Sequence, residues 1–164
     1  MSSSTGQAAQ DPERRVIRIG GAEAADFLQS ILTSDMEALS PGETRASALL
    51  TPQGRILADM MVLRVDDGFM LDCDASRADD LFARLRRYKL RRPVTLKILD
   101  DHQLWVGWNG DAMPRRASTD PRHPALGWRW IGPAGSGPET ASGSGPANID
   151  QWHSLRIATC VPKG

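Results

Sequence analysis

Ala46-Ser47-Ala48-Leu49-Leu50, then Thr51-Pro52-Gln53-Gly54, then Arg55-Ile56-Leu57-Ala58-Asp59-Met60-Met61-Val62-Leu63-Arg64-Val65, then Asp66-Asp67-Gly68 and Phe69-Met70-Leu71-Asp72-Cys73 decide the fold. Three apolar runs of strand length are separated by two turn sequences, one built on Pro-Gln-Gly and one on Asp-Asp-Gly. Glycine at the end of each turn supplies the backbone freedom a tight reversal needs. The reading is an antiparallel meander of three strands.

Helical periodicity flanks the meander on both sides. Upstream, Val16 to Ile19 reads as a strand, and residues 22–34 as a helix with Phe27, Leu28, Ile31 and Leu32 on one face. Downstream, Ser76 to Arg92 reads as a helix with Leu81, Phe82, Leu85 and Tyr88 on its apolar face. Asp79 and Asp80 lie near its start and five cations near its end, matching the helix dipole, and Pro93 stops it. Val94 to Leu99 and Leu104 to Trp108 follow as strands. The order strand, helix, strands, helix, strand predicts an α+β fold with helices on one face of a mainly antiparallel sheet. Residues 1–14 read as a disordered polar tail, 15–130 as the α+β domain and 131–147 as a Gly/Pro/Ser-rich loop. Ile149 to Ala158 then resumes helical spacing.

Composition narrows the class. The 164 residues carry 20 Lys or Arg and 20 Asp or Glu, so the formal net charge is zero, which argues against a dedicated nucleic-acid binder. No apolar run approaches the roughly 20 residues of a membrane helix. Met1 to Gln10 lacks the apolar core of a secretion signal. Cys73 and Cys160 form no metal-binding or disulfide pattern, and a reducing cytoplasm is the simplest compartment. No catalytic or metal-ligating constellation appears among the three scattered histidines.

The unusual residue is Asp59. Along a strand it shares a face with Leu57, Met61 and Leu63, while Ile56, Ala58, Met60 and Val62 line the other. A strand apolar on both faces is expected to be covered on both sides. A carboxylate there either meets a polar ligand group or is held by backbone or an Arg. The run Arg84, Arg86, Arg87, Lys89, Arg91 and Arg92 reads either as an anion-binding face or as a solvated helix end. Five tryptophans, with Trp128 and Trp130 on one strand face, fit packing or a flat-ring site.

Several segments together resemble one family. Phe27-Leu28-Gln29-Ser30-Ile31-Leu32-Thr33-Ser34-Asp35-Met36-Glu37-Ala38-Leu39 is similar to the FLQGQxTNDVxxL segment of the YgfZ family, folate-binding relatives of the glycine cleavage T-protein, an aminomethyltransferase. Leu49 to Asp59 resembles that family's LLTPQGRxLAD hairpin. Leu85-Arg86-Arg87-Tyr88-Lys89-Leu90-Arg91 resembles its LxKYxLR helix end, and Trp152 to Pro162 its LRIAAGIP segment. The resemblance implies a T-protein-like fold with a ferredoxin-like element and tetrahydrofolate or a derivative as ligand. Asp59 falls on the carboxylate that lies beside the reactive folate nitrogens in T-proteins. Asp74 falls where T-proteins often carry a ligand-contacting Asn, and Arg156 on the Arg of the LRIAAGIP segment. The implied function is tetrahydrofolate-binding support of iron–sulfur cluster assembly or repair, with iron–sulfur client proteins as partners. The alternative is a folate-dependent aminomethyltransferase. The chain departs from the family at Ala46, where relatives commonly have Tyr, and at Cys160, which replaces a Gly. The family's KGCYxGQE motif does not occur, and on this reading residues 148–164 begin a second segment that stops before it.

Overall fold

The meander forms as the alternation dictates. A computed structural model describes residues 6–110, 112–139 and 145–163. Within it, β1 (Gln7–Asp11), β2 (Arg14–Gly20) and helix α1 (Ala24–Ile31) lead into β3 (Thr44–Leu50), β4 (Ile56–Val65) and β5 (Gly68–Asp74). A short 3-10 turn then precedes α2 (Ala78–Lys89), β6 (Thr95–Ile98) and β7 (His102–Trp108). Completing the chain are β8 (Ser118–Thr119), a second 3-10 turn at Pro124–Leu126, β9 (Trp128–Pro133), β10 (Gly145–Pro146) and α3 (Ile149–Ala158). Residue contacts divide these elements into two units, one of Glu13–Asp100 and one of Asp101–Lys163 with the residues up to Pro12.

The inserted unit, Glu13–Asp100, is built on a five-stranded sheet of order β3-β4-β5-β2-β6, antiparallel throughout. Removing the edge strand β3 leaves β4-β5-β2-β6, the split β-α-β order of a ferredoxin-like sheet. One face is sealed by both helices. Phe27 and Leu28 of α1 and Leu81 and Leu85 of α2 pack on Ile17, Ile19, Met60, Val62, Phe69 and Leu71. This is the α+β arrangement that the strand–helix order implies.

The terminal unit has its own sheet, of order β10-β1-β7-β9-β8, antiparallel except for the β1–β10 pair. Trp152 of α3 packs with Leu104, Val106 and Trp108 on one face. The other face carries Trp128 and Trp130 together, as strand alternation requires. Trp130 sits opposite Trp105 across the β7–β9 ladder. The Trp128 ring lies so close to Gly107 that a Cβ there would fall 2.1 Å from it, so these tryptophans pack on glycine backbone.

Three expectations change. A disordered tail over 1–14 does not hold for residues 7–14: β1 is a strand with Ala8, Ala9 and Asp11 buried, and β2 begins at Arg14. Its polar composition hides a strand that pairs with β7 from Gln7–Trp108 to Asp11–Leu104 and with β10, while Ala8 and Ala9 are covered on opposite faces by Trp128 and Trp152. The single domain over 15–130 is two units with a boundary at Asp100–Asp101. The loop over 131–147 is entered by β9 and left by β10, with residues 140–144 outside the described set.

Helix α3 ends on a left-handed residue. Cys160 N–H donates to the Ile157 carbonyl at 3.0 Å and Val161 N–H to the Arg156 carbonyl at 3.0 Å, with Cys160 at φ 57°. This double closure normally takes glycine, because a Cβ in the left-handed region is strained. The Gly-to-Cys departure noted in the sequence therefore falls where it destabilises. Cys160→Gly is expected to stabilise the chain by about 0.5–1 kcal/mol, seen as a higher urea midpoint. An unchanged or lower midpoint would contradict the strain.

Candidate functional site

The face of the inserted sheet that carries no helix is assembled from alternate residues of β2, β4 and β5. Asp59 pairs with Ala48 across β3–β4. Met60 pairs with Cys73 on the core side, so Asp59 and Asp74 share the helix-free face on adjacent strands. Arg14 pairs with Asp74 across β2–β5. Two residues along, Ala46, Met61, Asp72 and Val16 form the neighbouring row.

Burial along this face is uneven, which corrects the expectation for Asp59. Met61 and Val16 are buried at the middle of the face, as coverage on both sides predicts. Asp59, near the start of β4, is exposed together with Ile56. The buried carboxylate is instead Asp72, two residues before Asp74. Arg14 Nε donates to Asp72 Oδ1 at 2.7 Å, and Arg14 also reaches the Asp72 carbonyl at 2.9 Å. Both side chains are nearly fully buried, at 3% and 2% exposure. Asp72 could have been found by the argument applied to Asp59, since it too interrupts an apolar strand.

Asp74 and Arg156 have structural duties. Asp74 Oδ1 accepts from Ser76 N–H at 2.8 Å and from Ser76 Oγ at 2.5 Å, capping the turn that leads into α2. Arg156, in the terminal unit, donates to the Val161 carbonyl at 2.7 Å and fastens the end of α3. Burial first, and then the nearby Arg122 charge, lower its pKa. Asp59 and Asp74 are thus brought to one face, and Arg156 belongs to the other unit.

The terminal unit holds a charge network that the sequence did not signal. Asp120 is buried, with Arg122 donating to both its oxygens at 3.0 and 2.7 Å and Arg129 at 3.1 Å. Both guanidiniums also lie over Trp152, 5.7 and 5.9 Å from its ring centre. Burial alone would raise the Asp120 pKa, but the Arg122 hydrogen bond and the two arginine charges outweigh it, so the net shift is downward. Asp11 is also buried, 3.9 Å from His153 Nε2. Cys73 is the small buried residue its position suggests, and burial followed by the Asp72 charge pushes its thiol up to about 12. It is therefore an unreactive thiol at neutral pH.

Residues 13–110 match the family described as GCVT N-terminal domain. The chain belongs to that family. The GCVT match covers the whole inserted unit and β7. Among curated relatives, the chain is 34% identical over 134 residues to the iron–sulfur cluster assembly factor IBA57 homolog, mitochondrial, of Pyricularia oryzae, covering 73% of this chain and 34% of that protein. It is 27% identical over 177 residues to iron–sulfur cluster assembly factor IBA57, mitochondrial, of Homo sapiens, covering 92% of this chain and 49% of that protein. The chain thus spans a third to a half of these relatives. Among solved structures, the glycine cleavage system aminomethyltransferase T of Bartonella henselae superposes with a TM-score of 0.60 at 20% identity, over 73% of this chain and 37% of that one. That likeness supports the T-protein-like α+β fold. The relatives are named as mitochondrial proteins, which overturns the cytoplasmic expectation drawn from the two cysteines. No described helix is long and apolar enough to cross a membrane.

Proposed function

We propose that this chain forms the tetrahydrofolate-binding part of an iron–sulfur cluster assembly factor of YgfZ type, acting as an accessory protein without classical turnover. The observation that carries the reading is the exposure of Asp59 on the helix-free face of the inserted sheet. It is the position the family resemblance marks, and the surrounding fold leaves its carboxylate open to solvent. The residues around it suit a pterin. A carboxylate accepts from ring and bridging N–H groups, while Ala48 opposite and Ala46 in the next row are too small to block a flat ring. Ala46 also means that this face offers no aromatic stacking partner at that position. The relatives' printed role in iron–sulfur cluster assembly supports the accessory reading.

Calorimetric titration of tetrahydrofolate into the purified chain tests the ligand. Saturable heat is expected, with affinity reduced about tenfold or more in Asp59→Ala, since hydrogen bonds to a charged group contribute roughly 1.5–3 kcal/mol. A folded chain that takes up no tetrahydrofolate, or an Asp59→Ala variant that binds equally well, would overturn the folate assignment. Formation of methylene-tetrahydrofolate from an aminomethyl donor would contradict the accessory reading in favour of an aminomethyltransferase.

A further inference from the structure

The end of α2 carries a family-like motif that the core uses only in part. Of the segment Leu85 to Arg91, Leu85 is buried and Lys89 half-buried, while the remaining five residues face solvent. Leu90 is 80% exposed and Tyr88 41%, the two large apolar surfaces of this helix end. Exposure alone would be ordinary for single side chains. The backbone makes it unusual.

Arg92 N–H donates to the Lys89 carbonyl at 2.9 Å, closing a four-residue turn. Leu90 is its first central residue, at φ 50° and ψ −117°. These angles are those of a type II′ turn, about +60° and −120°, a position that glycine takes and branched or bulky residues avoid. The sequence thus places a leucine where the turn calls for glycine, and that leucine stands in water. A local rule broken without a packing gain points to a functional constraint.

The charges around it are equally distinctive. On either side of this run the cations are matched, Arg84 bonding Asp80 and Arg92 bonding Asp26. Among the described residues, Arg86, Arg87, Lys89 and Arg91 have no carboxylate partner. Four unmatched cations within six positions, in a chain of zero net charge, surround one apolar anchor. That composition, an apolar centre with a charged rim, is the anatomy of a protein docking patch. Nucleic acid is less well matched, because Tyr88 is the lone aromatic and no stacking ladder exists.

We propose that the Lys89–Arg92 turn at the end of α2 docks an acidic protein surface, with Leu90 and Tyr88 as apolar anchor and Arg86, Arg87 and Arg91 as the matching cations. The patch lies on the helix side of the inserted sheet and does not involve Asp59, so it stands or falls separately from folate binding.

A fluorescein-labelled peptide of alternating glutamate and leucine, titrated against the whole chain and followed by anisotropy, tests it. The peptide is expected to bind saturably, and a glutamate–serine peptide more weakly. Leu90→Gly relieves the turn, so it is expected to raise the melting midpoint by roughly a few degrees while weakening the peptide about tenfold. That opposition separates docking from a structural role. The double reversal Arg86→Glu with Arg91→Glu is expected to abolish binding. The proposal is overturned if the peptide does not bind, if Leu90→Gly leaves its affinity unchanged, or if polyuridine or phosphatidylserine vesicles bind this patch more tightly than the peptide.

Discussion

Replacing Asp120 by alanine is expected to lower stability by about 3–5 kcal/mol, among the largest single losses available in the molecule. The side chain is fully buried and accepts hydrogen bonds from Arg122 and Arg129. Removing it leaves two guanidiniums near one another and near Trp152 without the carboxylate between them. Asp120→Asn keeps the volume and loses the charge, so its deficit isolates the electrostatic share. The pH dependence follows from the direction of the shift. The folded pKa is lowered relative to an unfolded value of about 3.9. The stability it contributes is therefore fully present above about pH 4 and lost as pH falls through the folded value. The wild-type advantage over Asp120→Asn should be constant near neutrality and shrink below about pH 4. Tryptophan emission reads this directly, because all five tryptophans belong to the terminal unit. An advantage that grew on acidification would refute the assignment.

The second large effect is expected in the inserted unit. Asp72→Ala removes the carboxylate bonded to Arg14 Nε at 2.7 Å, within a pair almost wholly shielded from water. A loss of about 3–5 kcal/mol is expected, because a buried guanidinium deprived of its counter-charge is far costlier than an exposed one. Replacing both, as Arg14→Met with Asp72→Leu, should restore most of that loss, since well-packed apolar residues often substitute for a buried pair with little penalty. A double-mutant cycle by urea denaturation, monitored by circular dichroism, measures the coupling. Additive single losses would show that the two side chains do not act as a pair. The two side chains lie diagonally across the β2–β5 ladder.

Local chemistry wrote much of this fold visibly into the chain. The Pro-Gln-Gly and Asp-Asp-Gly turns between apolar runs specify β3, β4 and β5, and the α3 spacing matches Ile149–Ala158. Two things were not legible. The first is β1: Gln7, Ala8, Ala9, Gln10 and Asp11 have no strand-like hydrophobicity, and their partners, β7, β10 and the apolar clusters around Trp128 and Trp152, lie some hundred positions or more later. The second is which of two carboxylates in apolar strands is buried. Periodicity says that Asp59 and Asp72 both lie on the helix-free face. It does not say how far cover extends along that face, and burial reaches Asp72 but not Asp59. Asp120 escaped notice for a related reason, because its environment is made by Arg129 nine residues on and by Trp152 beyond it. Asp59, the site residue implied by resemblance, was expected to be a covered carboxylate, and the structure leaves it exposed.

The antiparallel pairing of β1 with β7 has a kinetic meaning. The Gln7–Asp11 strand is made before the inserted unit, yet its partner His102–Trp108 is made only after that whole unit has been synthesised. Glu13–Asp100 contains its own sheet and both of its helices, so it can collapse while β1 is still unpaired. Its folding draws the two flanks of the chain together, because β2 and β6 are neighbours in one sheet. The long loop-closure entropy separating β1 from β7 is thereby removed before the terminal sheet has to form. Folding of Glu13–Asp100 is thus expected to precede, and to speed, the pairing of β1 with β7.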